Sequence, residues 1–133
     1  MSKYIAAYAA TAFVMIAIDL LWLGFIAKPL YQQGIGHLMA DQPNLIAAAV
    51  FYGLFPLGLM LFAVVPQAAE AAWIKTAVAA ALFGFFTYAT YDLTNLATLK
   101  GWPVGLALID MAWGSAVSAA AALAGRTAWH AVA

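Results

Sequence analysis

Long apolar runs constrain this chain more than any other feature of its sequence. Of its 133 residues, 68% are hydrophobic and only 8% are charged, whereas a soluble domain carries about 25% charged residues. A membrane-spanning helix needs about 20 predominantly apolar residues. Four such stretches occur, at about 4–27, 45–65, 74–99 and 103–124. We therefore predict an all-α fold, a single domain over 1–133 that forms an integral membrane bundle of four antiparallel transmembrane helices.

Residues that interrupt helices mark the ends of these stretches. Pro29 follows the first stretch and Pro66 the second, and proline cannot continue the helical hydrogen-bond ladder. Gly101 follows the third stretch, as is common just beyond a helix end. The segment 28–44 is the longest connection, and we predict that it is a solvated loop.

The second stretch has a start signal and an internal break. Asp41 or Asn44 is predicted to cap its first turn. Pro56 lies inside the stretch and removes the hydrogen bond to the carbonyl of Tyr52, one turn earlier. A backbone acceptor freed within a membrane must find another donor, so we expect one nearby.

A polar run occupies the second half of the third stretch. At helical spacing, Tyr88, Asp92 and Asn95 share one face, and Tyr91 lies on its edge. A carboxylate at such a depth costs about 2.5–3.5 kcal/mol on insertion scales. Helix packing alone could use such a cluster, but amide and hydroxyl groups would do so at lower cost than carboxyls. The run therefore predicts a functional site.

Three carboxyls from different spans are predicted to share one level. Counted from the nearest span ends, Asp19, Asp92 and Asp110 lie roughly 10–14 Å inside the same membrane face, with Tyr52 at a similar depth. We call this face side B; the first and third spans end there. We expect these carboxyls to form one layer that shares protons.

Two spans repeat the same short motif. Asp19-x-x-Trp22 in the first span is matched by Asp110-x-x-Trp113 in the fourth. This spacing places an indole donor about one turn from a carboxyl, on nearly the same face. We expect both helices to contact the third span in similar ways.

The candidate site follows from these patterns. Its predicted polar residues are Asp19, Trp22, Tyr52, Tyr88, Tyr91, Asp92, Asn95, Asp110 and Trp113. His37 and Asp41, in the connecting segment on side B, are predicted either to cover the site as a lid or to belong to an ordinary solvated loop.

Composition limits the chemistry that the chain can perform. The net charge is zero, so no basic field attracts nucleic acid. Cysteine is absent, which removes disulfides, thiolate metal sites and a cysteine nucleophile. Carboxylate and amide oxygens are hard ligands, but no Asp/Glu-x-x-His pairing accompanies them. The sequence therefore predicts no metal and no cofactor.

Several motifs of this chain resemble those of one known family. They are Thr87–Leu99 with its Tyr-Asp-Leu-Thr-Asn-Leu-Ala-Thr run, Trp102–Pro103, Asp110-Met-Ala-Trp113-Gly114, Asp19-x-x-Trp22-Leu-Gly and His37-Leu-Met-Ala-Asp41. Over nearly its whole length, the chain resembles a family of small bacterial inner-membrane proteins. This family is described only as a predicted membrane domain of unknown function. The resemblance implies an inner-membrane protein and implies no particular activity or substrate.

Three functions remain open at this point. The first is binding or transport of a proton, a cation or an amphiphilic small molecule, with Asp92 as the central carboxyl. The second is a membrane-embedded enzyme acting on a lipid or isoprenoid, with an aspartate as general acid or base. The third is an accessory subunit of a larger membrane complex, in which the carboxyls only fix the helix register.

Partners and orientation follow from the same features. Membrane lipids surround the bundle, and a homodimer is favoured for transport because four helices leave a narrow path. Lys3, Lys75 and Arg126 lie on the side of the termini, whereas Lys28 and Lys100 lie on side B. The positive-inside rule therefore predicts a multi-pass protein of the bacterial inner membrane with both termini in the cytoplasm.

Overall fold

The structure, a computed structural model, describes residues 1–132, and these residues form helices and short connections without a strand. The α-helices are α1 (Ser2–Leu21), α2 (Lys28–Ile35), α3 (Leu45–Leu59), α4 (Ile74–Thr98) and α5 (Val104–Ala131). Two π-helical segments, Trp22–Ile26 and Met60–Val64, continue α1 and α3, and a 3₁₀ turn, Gly36–Leu38, follows α2. The all-α prediction is confirmed for these residues.

Three segments are long and apolar enough to cross a membrane: Ser2–Ile26, Leu45–Val64 and Val104–Ala131. They correspond to the first, second and fourth predicted spans. α4 has 25 residues and would reach about 37 Å at 1.5 Å per residue. It is not among the three, because the polar run in its second half lowers its hydropathy. That α4, the third predicted span, also crosses the membrane therefore stays a prediction.

The central helix is α5, which packs against α1 on one side and α4 on the other. Asp19 and Thr11 of α1 meet Trp113 and Gly125 of α5 in reverse order, so these two helices are antiparallel. Small residues permit this closeness: at Gly125, an added Cβ would collide with the Thr11 hydroxyl. Close packing of small residues is the usual means by which helices associate where no water drives them together.

The α4–α5 contact is equally close. An added Cβ at Gly84 would overlap the carbonyl oxygen of Gly114 and the side chain of Ser118, and one at Gly114 would overlap the Tyr88 ring. These contacts also run in reverse order along the two helices. Because Gly84 and Gly114 have no side chains, the backbones of α4 and α5 can approach each other closely.

Arg126, which the sequence places on the side of the termini, is buried within the bundle. Its guanidinium donates to the carbonyls of Gln67 at 2.9 Å and Glu70 at 2.6 Å and to the Thr76 hydroxyl at 3.3 Å. The connection before α4 has backbone acceptors without helical partners, and the fork of guanidinium donors satisfies them. Arg126 thus ties this connection to α5.

The segment 28–44 is more ordered than the predicted loop. Residues 28–35 form α2, with Pro29 in its first turn, where the missing amide costs nothing. Ile35 packs with Trp102 and Leu106, at the start of α5. α2 therefore lies against the side B end of the bundle. The sequence correctly predicts that the first span ends before Pro29, but a new helix, α2, begins there instead of a loop.

The other backbone expectations concern α3. Asn44 caps it, its side chain accepting from the amide of Ala47 at 3.1 Å. Near Pro56, the Tyr8 hydroxyl of α1 donates to the carbonyl of Gly53 at 2.8 Å. This carbonyl is next to that of Tyr52, for which a new partner was expected. The Tyr8 hydroxyl thus supplies a hydrogen-bond donor close to the point where Pro56 removes a backbone donor.

The close α4–α5 contact leads to a stability prediction. We expect Gly84→Ala to lower the free energy of unfolding by about 1–3 kcal/mol, because the new methyl group overlaps the Gly114 backbone. Thermal unfolding in detergent measures this loss. Gly105→Ala is the matched control, since a Cβ at Gly105 meets nothing within 4 Å. Equal losses in both variants would contradict the packing argument.

Candidate functional site

Asp19 joins three helices at the side B end of the bundle. Its carboxylate accepts a short hydrogen bond from the Tyr52 hydroxyl of α3 and one of 3.0 Å from the indole nitrogen of Trp113 of α5. Trp22 stacks on Trp113, with ring centroids 4.3 Å apart and planes within 6° of parallel. The two Asp-x-x-Trp motifs therefore meet each other through their indoles, and Asp19 bonds to the indole of the opposite motif.

Asp110 is bound from the connecting helix α2. The Tyr31 hydroxyl donates to its carboxylate at 2.5 Å. Burial raises the pKa of Tyr31 above its ordinary value, and the hydrogen bond to Asp110 raises it further. The phenol therefore stays protonated and remains a donor to Asp110. In this way α2 supplies a polar contact to a carboxyl within the bundle.

Asp92 is the most enclosed of the three carboxyls. It is 1% exposed, and neither of its oxygens accepts a hydrogen bond from any donor in residues 1–132. The antiparallel register that sets Gly84 against Ser118 and Tyr88 against Gly114 places Asp92, one turn further along α4, opposite Asp110, one turn earlier in α5, so the two carboxyls are neighbours. The α4–α5 contact that brings these helices together therefore also brings these two carboxyls together.

A cavity of about 490 Å³ lies beside this layer. Asp19 and Asp110 contribute its carboxylates, while Asp92 is not among the residues that line it. The remaining lining residues are Trp22, Leu23, Tyr31, Ala48, Phe51, Tyr52, Phe55, Thr87, Tyr88, Tyr91 and Trp113. Ligand pockets range from about 300 to 1,000 Å³ and are mostly apolar with a few polar groups, which describes this cavity.

The cavity reaches the outer surface between α3 and α4. α4 packs mainly on Met60–Val64, which follows α3. Within α3, Gly58 meets the Phe83 ring, and the Phe55 ring reaches Tyr88 at a centroid distance of 5.9 Å. Phe51 and Tyr91 line the cavity and are nevertheless 38% and 52% exposed. The same side chains therefore form the cavity wall and the outer face of the bundle.

No basic side chain neutralises the carboxyl layer. Within residues 1–132, the ion pair that forms joins Lys75 to Glu70, at 2.9 Å, and Arg126 bonds to the connection before α4. No cluster of three acidic or histidine side chains suited to a metal ion occurs in this part of the chain. A buried carboxylate without a cation is costly, so a proton or a bound cation has to compensate it.

The structure separates the predicted site residues into two groups. It brings together Asp19, Trp22, Tyr52, Tyr88, Tyr91, Asp92, Asp110 and Trp113 around the cavity or, for Asp92, beside the lining residue Asp110. Asn95 is half-buried, does not line the cavity and makes no hydrogen bond to Asp92. His37 and Asp41 are exposed and lie outside the lining.

Sequence reasoning missed Tyr31 because it assigned the whole 28–44 segment to a loop. A signal was present, since Pro29 suits the first turn of a helix and Tyr31 and Ile35 are four residues apart, on one face. The apolar lining residues, such as Phe51 and Phe55, carry no such signal. Their spacing is that of any membrane helix, and only packing shows which ring faces a cavity.

Comparison with known proteins identifies a family but no characterised relative. A family model described as a predicted membrane protein, DUF2177, matches residues 4–127. The matched range contains every residue that lines the cavity. No curated protein and no solved structure matches the chain.

The hydrogen bonds at Asp19 can be tested through stability. We expect Tyr52→Phe to lower the free energy of unfolding by about 1–3 kcal/mol, because it removes one of the donors to a buried carboxylate. Thermal unfolding in detergent measures the effect. Tyr4→Phe makes the same chemical change where the hydroxyl donates to no group in residues 1–132, its ring packing edge-on against Trp129. A Tyr52→Phe protein as stable as the Tyr4→Phe control would contradict this role.

Proposed function

Because the chain belongs to the DUF2177 family of predicted membrane proteins, we propose that it binds an amphiphilic small molecule carrying a positive charge. One observation carries this proposal: Asp19, Asp92 and Asp110 share one region of the bundle, and no basic side chain of residues 1–132 forms an ion pair with them. A cationic group in the cavity supplies the charge that the protein itself does not.

The cavity walls suit an organic cation. Tryptophan and tyrosine rings attract a cation placed within about 6 Å of their centroids, most strongly where water is excluded. Trp22, Trp113, Tyr52, Tyr88 and Tyr91 supply such rings around the two lining carboxylates. An inorganic ion would prefer several oxygen ligands, whereas these walls are mainly aromatic. The favoured ligand is therefore an amine or quaternary ammonium.

The opening between α3 and α4 suits an amphiphile. Phe51 and Tyr91 edge the gap, and both are exposed on the face that a bilayer would cover. An apolar tail can remain among the lipid chains while the charged group reaches Asp19 and Asp110. Access from the bilayer therefore requires no aqueous pore through the bundle.

The same proposal includes the membrane topology. The chain crosses the bacterial inner membrane four times as an antiparallel bundle, with α4 as the remaining span, both termini in the cytoplasm and side B outside. Binding needs one copy, because one copy carries the whole cavity lining. Movement of a ligand across the bilayer favours a homodimer, because four helices alone leave a narrow path.

Ligand binding can be tested with a permanent cation and its neutral isostere. We expect benzyltrimethylammonium to bind the protein in lipid nanodiscs and neopentylbenzene, its uncharged analogue, to bind at least tenfold more weakly, a difference of about 1.4 kcal/mol. Asp110→Asn removes a lining carboxylate and should weaken binding of the cation by about tenfold or more. Isothermal titration calorimetry measures both comparisons.

The control is Glu70→Gln, which neutralises an exposed carboxyl that pairs with Lys75 and lies outside the cavity. It should leave the affinity unchanged. Equal binding of the cation and the neutral isostere would contradict a charged ligand. If neither compound binds and Asp110→Asn changes only stability or assembly, the accessory-subunit interpretation is correct instead.

Topology can be tested by cysteine labelling, because the chain has no cysteine of its own. Single cysteines replace Ser2, Gln42, Ala69 or Lys100, one in each variant. In spheroplasts, whose outer membrane is removed and whose inner membrane is intact, we expect a membrane-impermeant maleimide to label Gln42→Cys and Lys100→Cys. Ser2→Cys and Ala69→Cys should react only after permeabilisation. Labelling of Lys100→Cys and Ala69→Cys on the same side would exclude α4 as a span.

A further inference from the structure

Asp92 has an environment that the proposed binding site leaves unexplained. It does not line the cavity, so it cannot contact a ligand bound there. It is 1% exposed, and both of its oxygens lack a donor. As a bare carboxylate it would be a buried charge to which no group of residues 1–132 donates, and burial of such a charge is costly.

The groups around Asp92 offer it no positive charge. The titratable groups in its surroundings are acidic or phenolic: Asp110 from α5, Tyr31 from α2, and Tyr88 and Tyr91 from α4 itself. Asp19 of α1 and Tyr52 of α3 lie across the cavity and bond to each other. No lysine, arginine or histidine of residues 1–132 forms an ion pair with it.

The neighbouring carboxyl of Asp110 can share a proton with Asp92, which lowers the cost of burying Asp92. Two ionised carboxylates at hydrogen-bonding distance repel each other, whereas a pair with one proton forms a hydrogen bond and carries a single charge. Asp92 then donates its proton to Asp110, and its other oxygen is an uncharged carbonyl acceptor, whose burial without a donor costs far less than that of a carboxylate. Asp110 also accepts from Tyr31 at 2.5 Å, which stabilises the ionised member of the pair.

We propose that a bound organic cation and this shared proton exclude each other, so that the protein exchanges one cation for one proton at the Asp92–Asp110 pair. This inference rests on the proposed function. Asp110 lines the cavity and faces both partners, since it can pair with the ligand on one side and with Asp92 on the other.

The exchange balances in charge. One positive charge enters the cavity as the cation, and one leaves as the proton, which passes from Asp92 through the carboxylate of Asp110 to water in the cavity. With the cation bound, both carboxyls are ionised, the ligand offsets one of their two charges, and the Tyr31 hydroxyl donates a hydrogen bond to Asp110. Without the cation, the proton performs the same task. The buried region therefore keeps the same net charge in both states.

Calorimetry on the full chain in nanodiscs tests the exchange. The probe is benzyltrimethylammonium, which cannot itself release a proton. Titration in two buffers of different ionisation enthalpy gives the number of protons released per cation bound. We expect close to one proton released per cation at pH values where the pair holds its shared proton, and an affinity that rises by up to tenfold per pH unit until the pair is ionised.

Asp92→Asn identifies the group that holds the proton. The amide of asparagine can donate to Asp110 permanently, so this variant should bind the cation with no proton release and an affinity independent of pH. Glu70→Gln, at an exposed carboxyl of the opposite end, should release protons as the unchanged protein does. Circular dichroism and gel filtration establish that each variant is folded.

The outcomes separate the two proposals. Binding by the unchanged protein with no proton release and no pH dependence would overturn the exchange and leave the proposed function standing. Undiminished proton release from a folded Asp92→Asn protein would also overturn it. Absence of cation binding at every pH would overturn the proposed function and this inference with it. The measurement on the unchanged protein decides the first outcome even if the variant does not fold.

Discussion

The close approach of α5 to its two neighbours is the contact on which the rest of the structure depends. Gly125 meets Thr11 of α1, and Gly114 meets Tyr88 of α4, with no room for a further methyl group. This spacing brings the Trp113 indole to Asp19 and the Asp110 carboxyl to Asp92. Larger residues at these glycines would separate the helices and, with them, the carboxyls.

A second constraint follows from charge. Three carboxyls share one region of a mainly apolar bundle, and the described basic side chains are engaged elsewhere or do not pair with them. Asp19 and Asp110 obtain phenol or indole donors, while Asp92 obtains only a neighbouring carboxyl. Hydrogen bonds lower the cost of burying a carboxylate without cancelling its charge. This remaining charge is the physical basis for a cationic ligand and for a shared proton.

Prediction from the sequence succeeded where one residue alone carries the signal. Pro66, Asn44 and Gly101 mark helix ends or caps that the structure also has. Asn95 shares a helix face with Asp92 but neither lines the cavity nor hydrogen-bonds to Asp92, because a shared helix face does not guarantee a shared contact. Prediction from the sequence missed Tyr31, whose role depends on α2 folding against the start of α5. The lid suggested for His37 stays a prediction, since that side chain is exposed.

The sequence by itself determined the helical class and the apolar segments, and it predicts a common depth for Asp19, Asp92 and Asp110. These properties depend on hydropathy and on the fixed rise of a helix, which are local. Only the tertiary structure decided that Asp19 and Asp110 line a cavity while Asp92 does not, and that α2 reaches Asp110. Rotation of each helix about its axis and the gap between α3 and α4 depend on how side chains of distant segments pack, and no single segment contains that information.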